Sequence, residues 1–194
     1  MLVTCEIAKI PELVTGPEDF RGVVASHLGE LATSDYPGIV IRKTDLPVLE
    51  TLDGLDGMHG YRNMQGKLTP SREFGQGVFP YHYDGRPTKD AALYLNTFYM
   101  QAGTAELDLV TPIEPFWGDH KKLGMPSELS DALARGEADE KFVLPTIYRA
   151  MLHPGDYAIF PLFGPSIKHS TIHRVRTLVK PRTSLSYVTR YRLG

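Results

Sequence analysis

Apolar positions recur with two different periods along this chain, and the switch between them divides it. Met1 to Ile10 alternates briefly in the manner of an edge strand, which Pro11 ends. From Pro17 the spacing lengthens: Phe20, Val23, Val24, His27, Leu28 and Leu31 fall on one face of an amphipathic helix. Pro17 suits its first turn, and Glu18 the positive end of its dipole. His27, on the apolar side, reads as a packed core residue. Pro37-Gly38 marks a turn, Gly38 to Arg42 a short buried strand, and Thr44 to Leu55 a further short helix.

Between Asp53 and Gly77 neither period is sustained, and glycine and polar residues dominate. Connections of this length are uncommon unless they bind something, so the segment reads as an ordered loop or a lid, with Tyr61, Arg62, Asn63 and Gln65 as candidate substrate contacts. Past the loop GRPTKD the pattern becomes β. ALYLNTFYM and TAELDLVTP read as two strands, followed by FVLPTIYRAML, the turn HPGD, YAIFPL, STIHRVRT, a turn at LVKP, and RTSLSYVTRYRL. Glu128 to Arg135 interrupts them as a helix capped by Ser127, and Trp117 lies in a loop punctuated by proline and glycine. Helices early and short strands late predict an α+β fold, a double-stranded β-helix or jelly roll braced by N-terminal helices. The expected organisation is one domain over 1–194, with 1–77 as support and lid and 78–194 as the catalytic core.

A chain of 194 residues buries roughly 70% of its extended surface, enough for a substantial core. Its formal net charge of -2 argues against a whole-chain electrostatic role on nucleic acid or membrane. No acidic residue follows Asp156, whereas Lys168, Arg174, Arg176, Lys180, Arg182, Arg190 and Arg192 crowd the end. These cations are either solvated strand faces or a positive end that draws in a small anionic substrate. Cys5 is the single cysteine, which excludes an intramolecular disulfide and any multi-cysteine metal site. The start lacks a basic leader with a long apolar run, and no stretch approaches the ~20 apolar residues of a membrane span, so a soluble cytoplasmic protein is expected.

Candidate chemistry centres on VFPYHYD, Val78 to Asp84. On a strand, residues i and i+2 share a face, so His82 and Asp84 present an imidazole and a carboxylate to one point. A second imidazole from a distant strand would complete the two-histidine, one-carboxylate facial triad with open coordination positions that is typical of non-haem Fe(II) oxygenases. His169 and His173 are both eligible by parity. His173 is preferred, because a turn at Lys180-Pro181 would bring the strand beginning at Arg182 alongside it. The Arg182 guanidinium then matches a carboxylate bidentately, and Ser184 on the same face adds a hydroxyl.

His82-Tyr83-Asp84, then His173-Arg174-Val175, then Arg182-Thr183-Ser184 resemble the H-x-D…H…R-x-S pattern of the Fe(II)/2-oxoglutarate-dependent dioxygenases. His153-Pro154-Gly155-Asp156 before YAIF is similar to the P-G-D turn and strand that commonly precede the distal histidine in that superfamily. The resemblance spans the chain from Val78 on. It implies that His82, Asp84 and His173 bind Fe(II) and that Arg182 with Ser184 holds the distal carboxylate of 2-oxoglutarate. It further implies that dioxygen-dependent decarboxylation to succinate and carbon dioxide is coupled to oxidation of a small substrate. Aspartate at position 84 resembles hydroxylases and desaturases rather than halogenases, which vacate that position for chloride. Thr104, in AGTAEL, is similar in place to a threonine that touches the co-substrate in taurine-dioxygenase-like members.

Two departures from the family pattern bear on this reading. The gap from His173 to Arg182 is short for the superfamily, and an arginine there can instead serve a substrate carboxylate, as in oxidases of the isopenicillin synthase type. The chain is also short, so either it has no elaborate substrate lid or a partner subunit supplies one, which admits a homo-oligomer. The alternatives are therefore a non-haem iron oxidase that does not use 2-oxoglutarate, or a cupin-like metal-dependent isomerase or binding protein. Nucleic-acid demethylation shares the iron chemistry but needs a basic groove and stacking aromatics, which the balanced charge disfavours.

Overall fold

The computed structural model describes residues 1–14, 37–42, 69–70, 80–84, 92–113, 125–166 and 169–192. Among these, β1 (Leu2–Thr4), β2 (Glu6–Lys9), β3 (Glu12–Val14), β4 (Ile39–Arg42) and β5 (Thr69–Pro70) precede the long strand β6 (Ala92–Val110). Helix α1 (Ser127–Ala134), β7 (Glu137–Asp139), β8 (Thr146–Leu152), β9 (Tyr157–Phe163) and the long strand β10 (Ile172–Arg192) follow. The described residues are thus mostly β with one helix, and none of their helices is long and apolar enough to cross a membrane.

Strands β1 and β7 form a small antiparallel pair, and the other eight form one mixed sheet, six of them in the order β2-β8-β6-β9-β4-β3, with β10 paired to β6 and β5 to β10. Strand β6 organises that sheet. Along one edge it takes β9 against Tyr94–Tyr99 and β8 against Ala105–Leu109, and along the other it takes β10 from Ile172↔Val110 to Arg192↔Ala92.

This sheet cannot be flat. Phe160 pairs with Asn96 and His173 with Leu109, positions that a straight β6 would set roughly 40 Å apart at ~3.3 Å per residue. Yet the rings of Phe160 and His173 lie 5.0 Å apart, centroid to centroid, so the sheet curls over on itself. The bend falls where β6 contains Gly103 at φ 79°, a backbone state that a side chain disfavours. Opposite it, the β10 register shifts between Thr177 and Ser184. The outcome is a curled half-barrel, compatible with a jelly roll.

Alternation along β6 assigns its two faces. Ala105, Leu107 and Leu109 join Phe98, Met100, Phe160 and Leu162 in the concave core, whereas Val110 joins Tyr81, Tyr83, Ile147 and Ile172 in a second cluster. Leu129 and Leu133 of α1 cover that second cluster. Each fully buried leucine of this kind contributes about 1.5–3 kcal/mol relative to an exposed one.

Several expectations are corrected here. ALYLNTFYM and TAELDLVTP are one strand, because Gly103 bends the backbone without breaking the ladder. The expected turn at Lys180-Pro181 is absent: β10 runs through it, and Pro181, which has no N–H to donate, sits inside the stretch of shifted register where the ladder is already interrupted. Ser127 is the first helical residue rather than the cap. Pro126 holds the cap position, and its carbonyl accepts from the Leu129 and Ser130 amides at 3.1 and 3.0 Å. The strand expected from Phe142 begins only at Thr146. At the N-terminus the described residues form β1–β3 rather than bracing helices, with Pro11 between β2 and β3. The helices expected over Pro17–Leu31 and Thr44–Leu55, and the loop carrying Tyr61, Arg62, Asn63 and Gln65, lie outside the described residues.

Candidate metal centre

His82 lies in the short segment 80–84, which meets β10 at an isolated antiparallel bridge between His82 and His173. Because the two residues are directly opposed, their rings stand side by side, 4.2 Å apart between centroids. Asp84, two residues on, shares their face. Its Oδ1 lies 3.4 Å from His82 Nε2 and its Oδ2 3.5 Å from His173 Nε2. One ligand atom from each of the three lies within 4.8 Å of the others, a grouping able to hold a metal ion.

The remaining ring nitrogens fix how the imidazoles are presented. His82 Nδ1 is 2.9 Å from the Pro80 carbonyl, and His173 Nδ1 is 3.3 Å from the Thr171 carbonyl. A carbonyl only accepts, so each contact assigns the proton to Nδ1 and leaves the Nε2 lone pair directed at the shared point. His173 is buried, His82 half-buried and Asp84 exposed, which gives the cluster a dry side and a wet one. Burial, followed by the neighbouring His82, pushes the His173 pKa down to about 4 against the opposing pull of Asp84 and the Thr171 carbonyl, so its ring is neutral and able to ligate at pH 7. Phe160 supplies part of the apolar wall.

The other residues picked from the sequence are distributed differently. Arg182 is not on a strand neighbouring His173 but further along the same strand, because β10 does not turn at Pro181. Its Nε is buried without a hydrogen-bond partner among the described residues, and burial holds its guanidinium below the usual arginine range. Ser184 is buried, opposite Met100 of β6 and Thr69 of β5. Thr104 is half-buried at the bend of β6, opposite Val179 rather than opposite the His173 position. His169 is buried, and its Nδ1 accepts from the Ser166 amide at 3.2 Å. It is not among the grouped ligands.

Sequence reasoning missed what lies behind the ligands. Tyr81 precedes His82 and Arg174 follows His173, so both point to the opposite face, where they converge on Asp108. One signal was available: Asp108 sits in the alternating run AELDLV, where a carboxylate between leucines has to be either solvated or partnered.

No family model matches the chain, and no curated protein matches it in sequence. Among solved structures it is similar to the crystal structure of AAD-2 in complex with Mn(II) and N-oxalylglycine. The identity is 11%, the match covers 100% of this chain and 99% of that one, and the TM-score is 0.41.

Proposed function

We propose that this chain is a non-haem Fe(II)- and 2-oxoglutarate-dependent oxygenase acting on a small substrate. The observation that carries the reading is the convergence of His82, Asp84 and His173 from separate segments, in the order the motif resemblance anticipates. Two imidazoles and one carboxylate suit a divalent first-row ion. Ligand atoms held at roughly 2.1 Å by such an ion stand about 3 Å apart when their bonds are perpendicular; one carboxylate oxygen lies 3.4 Å from the His82 ring and the other 3.5 Å from the His173 ring, with all three ligand atoms within 4.8 Å. A buried guanidinium Nε without a partner among the described residues supports Arg182 as the anchor for a carboxylate; Ser184, buried on the same strand, and Thr104 enter through the motif resemblance alone.

In this reading His82, Asp84 and His173 hold Fe(II), and Arg182 with Ser184 orients 2-oxoglutarate. Iron and co-substrate, when bound, supply dioxygen activation coupled to oxidative decarboxylation. The residues of this chain do the rest. Backbone carbonyls of Pro80 and Thr171 fix the ring tautomers, burial keeps His173 neutral, and Phe160 excludes water from its side. The exposed Asp84 marks the side from which substrate arrives; of the last strand's cations, Arg174 and Arg176 are held by Asp108 and Glu106. The same reading makes 1–194 a single soluble domain acting on a metabolite, not on nucleic acid or membrane.

Anaerobic addition of Fe(II) and 2-oxoglutarate tests the proposal. A weak visible charge-transfer band is expected, followed by succinate formation on admitting air. Iron binding without the band would favour an oxidase or cupin-like protein that does not use 2-oxoglutarate, and no iron binding would end the reading.

A further inference from the structure

Resting on that metal reading, we propose that Asp108 and Tyr81 are positioning residues for the centre, locking the register of the two segments that carry His82 and His173 from the face opposite the ligands. The Tyr81 hydroxyl donates to Asp108 Oδ2 at 2.7 Å. Arg174 reaches the same oxygen through Nη2, and through Nε at 3.2 Å. The Arg174 guanidinium also lies over the Tyr81 ring, 4.5 Å from its centroid. Arg149 spans both oxygens, with Nε 2.7 Å from Oδ1 and Nη2 3.1 Å from Oδ2. One fully buried carboxylate therefore ties the residue before His82 to the residue after His173.

The register argument gives this tie its consequence. Segment 80–84 meets β10 at an isolated bridge, and a slip of one residue would turn His82 and Asp84 to the wrong face and Tyr81 to the ligand face. The Tyr81 hydroxyl reaches Asp108 only in the pairing that presents the ligands together. A buried ionic group is weak evidence for stability, since desolvation offsets most of its attraction, and specification of register is the best-attested use of such groups. Asp108 is entirely buried and faces two arginines and a phenol.

The experiment measures Co(II) affinity and the Co(II) visible spectrum on the full chain, for the wild type, Tyr81→Phe and Asp108→Asn. Asp156→Asn serves as control: it weakens a part-buried ion pair, to Arg42 at 2.6 Å, at the turn between β8 and β9. Tyr81→Phe is expected to lose about tenfold in Co(II) affinity and Asp108→Asn about tenfold to a hundredfold, both with an altered spectrum. The control should keep wild-type affinity and spectrum despite a lower Tm. If Asp108→Asn does not fold, Tyr81→Phe decides alone, since it deletes one hydroxyl and leaves both arginines on the carboxylate. Wild-type affinity and spectrum in Tyr81→Phe, or equal losses in the control, would overturn the positioning role while leaving the metal centre standing. A wild type that binds Co(II) no better than a His82→Ala/Asp84→Ala/His173→Ala variant would overturn both.

Discussion

His82 and His173 exchange both of their backbone hydrogen bonds, the His82 amide donating to the His173 carbonyl at 3.1 Å and the His173 amide to the His82 carbonyl at 2.8 Å. Their side chains are consequently fixed to one face before any ion arrives, which lowers the ordering cost of binding one.

Metal should therefore stabilise the fold through three specific side chains. With Mn(II) at a hundred times its dissociation constant, linkage predicts about 2.7 kcal/mol of added stability, visible as a higher Tm in thermal melts. His82→Ala, Asp84→Ala and His173→Ala are each expected to abolish that increment. His169→Ala should lower the Tm of the metal-free protein, because His169 is buried against Gly164, yet retain the full increment. A lost increment in His169→Ala with the others unaffected would move the third ligand.

Acid should destabilise the metal-free protein through His173. Its folded pKa is about 4, against 6.5 for the unperturbed group, so between those values the unfolded state binds more protons and stability rises with pH. The contribution is complete above pH 6.5 and is lost as pH falls towards 4, with an upper bound of roughly 3 kcal/mol. Asp108 acts lower on the scale. Burial pushes its carboxyl up, but hydrogen bonds from Arg149 and Tyr81 and the charge of Arg174 outweigh that and hold it below 3.8, so its contribution disappears only as pH falls below that value. Urea denaturation at a series of pH values separates the two. His173→Asn should flatten the slope between pH 4 and 6.5 and leave the steeper loss below pH 4; an unchanged upper slope would assign it to another group.

Much of this site is written locally in the chain, and what is not depends on how distant strands pair. The i and i+2 spacing of His82 and Asp84 states their common face outright. The preference for His173 over His169 rested on a turn at Lys180-Pro181 that does not form. The residue is nonetheless the one that joins the pair, because its own strand bridges to segment 80–84. Hairpin punctuation misled in two places for one physical reason: Gly103 and Pro181 both look like strand ends, and both are absorbed as bends in strands long enough to wrap around the core. The cross-strand row Arg149–Asp108–Arg174 was illegible, since no local pattern shows which residues of three distant strands stand side by side.

Gly38 is expected to tolerate no side chain. A Cβ there would stand 2.6 Å from Leu109 Cδ1 and 2.9 Å from both the Ile159 carbonyl and Phe160 Cβ. Two of these atoms belong to Leu109, paired with His173, and to Phe160, whose ring packs on it, so the strain falls on the wall of the centre. Gly38→Ala should cost about 1–3 kcal/mol by chemical denaturation. It should also weaken Mn(II) binding severalfold in the folded fraction. Unchanged stability would mean that Leu109 and the backbone at Ile159 yield more readily than their packing implies.

Arg182→Lys tests the carboxylate anchor apart from the metal. Lysine keeps the positive charge but replaces a planar fork with a point donor, so a bidentate carboxylate contact cannot be reproduced. If Arg182 holds 2-oxoglutarate, the variant should bind Mn(II) as the wild type does, while 2-oxoglutarate affinity, read by titration into the Mn(II)-loaded protein, falls by about tenfold or more. Arg182→Gln should fall further, having lost the charge as well. Equal 2-oxoglutarate affinity across wild type, lysine and glutamine would detach Arg182 from the co-substrate and leave it for a substrate carboxylate, the arrangement of the oxidases that do without 2-oxoglutarate.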